Sequence, residues 1–109
     1  MHEKIWLNNY PHNIPHEVDF SKFPNLNSYL HSILKKFGDN VAFISMDKKL
    51  TYSQLDKMAD EFAAYLAYKG LKPGDRVALM MPNILQYPIA LIGAMRAGVI
   101  VVNTNPLYT

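Results

Sequence analysis

Hydrophobic and polar positions change period along the chain, and the changes mark out its elements. From Leu26 the apolar residues Leu26, Leu30, Ile33, Leu34 and Phe37 recur at helical spacing up to Gly38, a position suited to a left-handed cap. "VAFISMDKKLTY" then reads as two short strands, Val41 to Met46 and Leu50 to Tyr52, joined by the loop Asp47–Lys49. Ser53, with Asp56 three residues on, resembles a capping box opening a second helix. Its apolar face is Leu55, Met58, Ala59, Phe62, Ala63 and Leu66, and Gly70 closes it. A Pro-Gly turn leads into a strand from Arg76 to Met81. Asn83 is placed to cap a helix over Ile84–Ala97, with Pro88 near the end of its first turn and Gly98 just past its end. The β-branched run Val99–Val102 follows, and its continuity predicts a strand buried on both faces.

Strand, helix and strand in that order, with a linking helix long enough for a crossover, predict a right-handed βαβ unit over residues 76–103 and an α/β fold. Between Val77 and Val102 the sole charged side chain is Arg96, so the same window invites a membrane-spanning reading. Pro82, Asn83, Gln86, Pro88 and Gly98 interrupt it well short of the ~20 apolar residues a span requires.

Residues 1–24 carry Pro11, Pro15 and Pro24 and show neither period, which predicts an extended N-terminal arm before a partial α/β domain at 25–109. The arm's apolar residues, among them Ile5, Trp6, Tyr10, Ile14, Val18 and Phe20, predict that it lies in a groove. Its mixture of charge and proline excludes a signal peptide's apolar core, so no secretion is predicted.

Composition narrows the function classes. The 109 residues are 50% hydrophobic, enough for one globular core, and the net charge of +2 is spread without a basic stripe, which argues against a nucleic-acid partner. The absence of cysteine excludes disulfides and thiolate sites. His12 and His16 have zinc-like spacing, but Pro11 and Pro15 before them deny the helix that would give the spacing meaning. Ser53, His31 and Asp56 lack a nucleophile elbow, and capping already explains Ser53. Lys69, Gly70, Lys72 and Gly74 match no phosphate-loop spacing, and Lys48, Lys49, Asp75 and Arg76 read as turn charges. Met80, Met81 and Met95 read as core filling. The residues therefore predict a scaffold with no catalytic, cofactor-binding or metal-binding side chain.

The stretch "GDRVALMMPNILQYPIALIGAMRAGVIVVNTNPLYT", with "LTYSQLDKMADEFAAYL" and "IWLNNYPHNIPHE" before it, resembles the N-terminal portion of bacterial long-chain fatty acid CoA ligases, adenylate-forming enzymes. Met81-Pro82-Asn83 and Arg96-Ala97-Gly98 recur across that superfamily, aryl CoA ligases included. The arm around Trp6 and the run Asn105–Thr109 point to the long-chain branch. The resemblance implies an enzyme using ATP, Mg2+ and CoA to turn a long-chain fatty acid into an acyl-adenylate and then an acyl-CoA, at a cytoplasmic location with peripheral membrane contact. Its Ser/Thr/Gly-rich phosphate loop, Tyr-Gly-x-Thr-Glu segment, ribose-binding Asp and mobile-domain Lys have no counterpart in these residues. The expectation is thus an inactive leading fragment whose partner is the remainder of the enzyme, with self-association through exposed apolar surface. Readings of another class are a self-contained interaction module or a membrane-associated one.

Overall fold

The computed structural model describes residues 3–108. Two short 3-10 turns, Ile5–Asn9 and Phe20–Lys22, precede α1 (Leu26–Lys36), the strands β1 (Val41–Ser45) and β2 (Lys48–Thr51), α2 (Tyr52–Tyr68), β3 (Arg76–Leu79), α3 (Gln86–Arg96) and β4 (Ile100–Asn103). β1 and β2 form an antiparallel hairpin. β3 and β4 run parallel, from the pair Arg76 and Ile100 to the pair Leu79 and Asn103, with α3 crossing between them. The βαβ unit therefore forms where the change of period places it.

α2 is the element on which both halves pack. Its Leu55 and Ala59 join Leu34 of α1, Leu50 of β2 and Ile92 of α3 in one buried cluster. One end further along, its Leu66 meets Ala94 and Val99 in a second. Between the clusters α2 and α3 approach closely at Gly93, where an added Cβ would stand 2.7 Å from the Ala59 carbonyl oxygen and 2.9 Å from the Phe62 ring. Arg96, a turn further on, donates to the Asp56 carbonyl (3.0 Å), the Asp56 carboxylate (2.6 Å) and the Asp60 carboxylate (2.8 Å). The sole charge of the apolar window is thus an interhelical clamp, and its guanidinium is largely buried.

Several local expectations are corrected. The cap of α2 lies two residues earlier than Ser53: Thr51 accepts from the Gln54 amide at 3.1 Å while the Gln54 side chain accepts from the Thr51 amide at 2.9 Å. Thr51 thereby serves as the last strand residue and as the cap, and Ser53 lies within the first turn. Gly38 is not among the glycines at positive φ, which are Gly70, Gly74 and Gly98. Its carbonyl accepts from the Ser53 amide at 2.9 Å, and a Cβ there would stand 2.6 Å from Ser53 Oγ, a contact that rotation of the serine side chain relieves, so no left-handed backbone calls for glycine at this position.

The hairpin turns at Met46 and Asp47, both at positive φ (50° and 64°), as a two-residue primed turn, which moves Lys48 and Lys49 from the expected loop into β2. Asn83 does not cap α3. The Ile84 amide instead bonds the Pro82 carbonyl at 2.9 Å, drawing residues 82–84 into a tight turn, and the helix begins at Gln86 without a side-chain cap. Pro88, in the first turn, has no amide to satisfy there. At the other end Gly98 (φ 78°) bonds Met95 and Val99 bonds Ala94, so the helix stops as expected.

β4 is covered on one face alone: Ile100 and Val102 are 48% and 42% exposed while Val101 packs inward. The arm's Ile5, Trp6, Val18 and Phe20 are likewise exposed: Val18 and Phe20 line an open depression with Phe23, Leu26 and Tyr29 rather than lying buried in a groove. No helix among the described residues is long and apolar enough to cross a membrane.

Two outcomes follow for unfolding in urea. Gly93→Val, which forces a branched side chain against the Ala59 carbonyl, is expected to cost about 1–3 kcal/mol. Thr51→Ala is expected to cost about 1 kcal/mol by removing the cap, with Ser53→Ala within about 0.5 kcal/mol of the parent. The reverse order for the two hydroxyl residues would overturn the cap assignment.

Candidate functional site

In open α/β sheets ligands bind beyond the carboxyl ends of the parallel strands, and here those ends face a cleft of about 610 Å3. β3 leaves through Met81, Pro82 and Asn83. β4 ends at Asn103, whose Oδ1 accepts a hydrogen bond from the Tyr87 hydroxyl on the first turn of α3. The Thr104 amide bonds the Leu79 carbonyl at 3.0 Å, tying the exit of β4 to the end of β3. Asn105 then shapes the following turn, accepting from the Leu107 amide on its side chain (2.9 Å) and from the Tyr108 amide on its carbonyl (3.1 Å). Met81–Asn83, Tyr87 and Asn103–Tyr108 line the cleft.

A second, more apolar cleft of about 400 Å3 lies between the β1–β2 hairpin and the start of α3, lined by Phe43, Ile44, Ile84, Leu85, Pro88 and Leu91 among others. Asn83 and Tyr87 line both clefts.

The first cleft offers carboxamides, hydroxyls and apolar walls, and none of its lining side chains is charged. Such a set can orient a polar group by hydrogen bonding. It does not fit Mg-ATP, because a triphosphate calls for Lys or Arg and the ion calls for carboxylate oxygens.

The candidates weighed from the sequence lie elsewhere. His16 packs edge-on against the Tyr10 ring at 5.4 Å, and no group of three or more metal-ligating side chains occurs among the described residues. Asp56 is held by Arg96, Ser53 abuts Gly38, and His31 is exposed on α1, so these three are not assembled. Lys69 lies over the Tyr65 ring, and the Lys72 amide donates to Asp75 at 2.7 Å within the turn that Gly74 closes on the Gly98 carbonyl. Met80 is 55% exposed rather than core filling, and Met81 lines the cleft. The exposed Asp19 carboxyl, bonded by the Ser21 hydroxyl and amide, is held below its ordinary range.

Tyr87 and Asn103 went unmarked by sequence reasoning because neutral polar residues carry no motif. The signal available was positional: Asn103 falls at the carboxyl end of one predicted parallel strand, and Tyr87 in the first turn of the crossover helix that follows the other.

Residues 30–109 match the AMP-binding enzyme family. The long-chain-fatty-acid–CoA ligase of Yersinia pestis is 50% identical over 108 residues, 98% of this chain and 19% of that protein, so the chain spans about a fifth of the length of such curated relatives. Among solved structures, a benzoate CoA ligase from Burkholderia xenovorans LB400 superposes with TM-score 0.75 at 32% identity, over 80% of this chain and 18% of that one. The N-terminal subdomain of Klebsiella oxytoca NpsA gives 0.74 at 27% identity, over 77% and 22%. With the α/β fold shared over this region and the family match covering most of its residues, the chain belongs to the AMP-binding enzymes.

Proposed function

We propose that this chain is a segment of an AMP-forming long-chain fatty acid CoA ligase, which consumes ATP to make an acyl-adenylate and pyrophosphate and then passes the acyl group to CoA with release of AMP. The observation that carries the reading is the identity of half of 108 aligned residues to the Yersinia pestis ligase, an alignment that spans the arm as well as the βαβ unit. Similarity to the benzoate enzyme supports a second reading, an aryl CoA ligase of the same family, but at lower identity and over less of the chain.

On the first reading residues 1–24 are an arm and residues 25–109 an incomplete α/β domain. The remainder of the enzyme then covers Ile100, Val102 and the arm's exposed aromatics, and supplies the cations and carboxylates absent from the cleft. The segment's own contribution is positional: α2 seats the crossover helix, which aligns the two parallel strands whose carboxyl ends form the cleft floor. The enzyme acts in the cytoplasm, meeting its acyl substrate at the inner membrane surface.

The test is pyrophosphate release by the full-length protein with Mg-ATP, CoA and either palmitate or benzoate. Palmitate-dependent release is expected; release with benzoate alone would favour the aryl reading, and release with neither would overturn both. Calorimetry with Mg-ATP on residues 1–109 is expected to show affinity weaker than roughly millimolar, since a few exposed lysines each contribute ~1 kcal/mol or less. Saturable micromolar binding would reveal a nucleotide site inside the segment.

A further inference from the structure

Tyr87 stands where the crossover helix, the end of β4 and both clefts meet. Its hydroxyl donates to Asn103 Oδ1, and a carboxamide whose oxygen is so engaged leaves its Nδ2 hydrogens as donors. Asn103 is the last residue of β4 and the first of the loop that walls the cleft, and the next amide, Thr104, is already committed to Leu79. The backbone at this point is therefore fixed, and what remains to be set is which end of the Asn103 carboxamide faces an occupant of the cleft. A phenol anchored on a helix sets it at little entropic cost, because Tyr has two side-chain torsions and the helix turn restricts the first.

We propose that Tyr87 is a positioning residue of the ligase: it orients Asn103 so that the Nδ2 group donates to an oxygen of a substrate bound at the carboxyl ends of β3 and β4. This rests on the ligase reading above. The cleft carries no charge of its own, so polar recognition there falls to neutral groups, and Asn103 is a carboxamide held by another side chain of the lining.

The experiment compares Tyr87→Phe, Asn103→Ala, Asn103→Asp and the Tyr87→Phe/Asn103→Ala double variant in the full-length protein, measuring kcat and KM for palmitate, Mg-ATP and CoA together with melting temperature. Loss of one such hydrogen bond corresponds to about a 2- to 12-fold change. Tyr87→Phe is expected to raise KM for at least one substrate by that factor, with kcat within about twofold and melting within about 2 °C of the parent. The double variant should be no worse than Asn103→Ala alone, as expected when one residue acts through the other.

Asn103→Asp separates positioning from structure, since it keeps an acceptor for Tyr87 and removes the donors; it should raise the same KM at least as much as Asn103→Ala. An Asn103→Asp variant with parental KM, or additive effects of the two single changes, would overturn the inference while leaving palmitate-dependent activity intact. Absence of that activity in the parent would overturn the ligase reading and the inference with it.

Discussion

The contact between α2 and α3 at Gly93 is the constraint from which the rest of the structure follows. Ala59 and Ala94 are fully buried beside it, and no side chain larger than hydrogen fits at Gly93 without displacing a backbone carbonyl. Such small residues bring the helices close enough for Arg96 to reach the Asp56 carbonyl as well as two carboxylates. A desolvated guanidinium is costly unless its donors are met, so the clamp is specific to this one register of the two helices. Because α3 is also the crossover between β3 and β4, its seat on α2 decides where the parallel pair lies and which way the strands' carboxyl ends point.

The two buried clusters sit on either side of that contact. One gathers α1 and the hairpin, the other the second half of the βαβ unit, and α2 contributes to both. Asn27 adds a tie across the assembly, its side-chain amide donating to the Met95 carbonyl at the end of α3 at 3.0 Å. The hairpin walls only the second cleft, whereas the residues that follow β3 and β4 define the first directly.

What the sequence disclosed and what it hid divide along physical lines. Period and punctuation located the βαβ unit, because a helical stripe between Pro82 and Gly98 cannot be sustained as a strand and the β-branched run after Gly98 is a poor helix. Caps were less legible. Thr51 looked like strand and was both strand and cap, while Asn83 had the chemistry of a cap but was pulled into a turn by Pro82. Met46 at positive φ has no compositional signature, since glycine or asparagine usually occupies such a position. The cleft was hidden for a different reason: Tyr87 and Asn103 meet through tertiary folding, and neither residue type announces a site. Family resemblance reached the chemistry that the residues of this segment do not themselves display.

The clamp also bears on the order of assembly during synthesis. Arg96 reaches 40 residues back along the chain to Asp56, and the remaining contacts of α3 with α2, β3 and β4 are of comparable or shorter span. Closing loops of that size costs little additional entropy, so the α2–α3 seat can form as soon as its residues have left the ribosome, without waiting for distant sequence. The faces of Ile100 and Val102 and the outer edges of both two-stranded sheets are then exposed to solvent and to other nascent chains. At about 5–20 residues per second, each additional hundred residues of synthesis prolongs that exposure by roughly 5–20 seconds. An early-closing seat therefore leaves open the faces through which a partly made chain can pair with another.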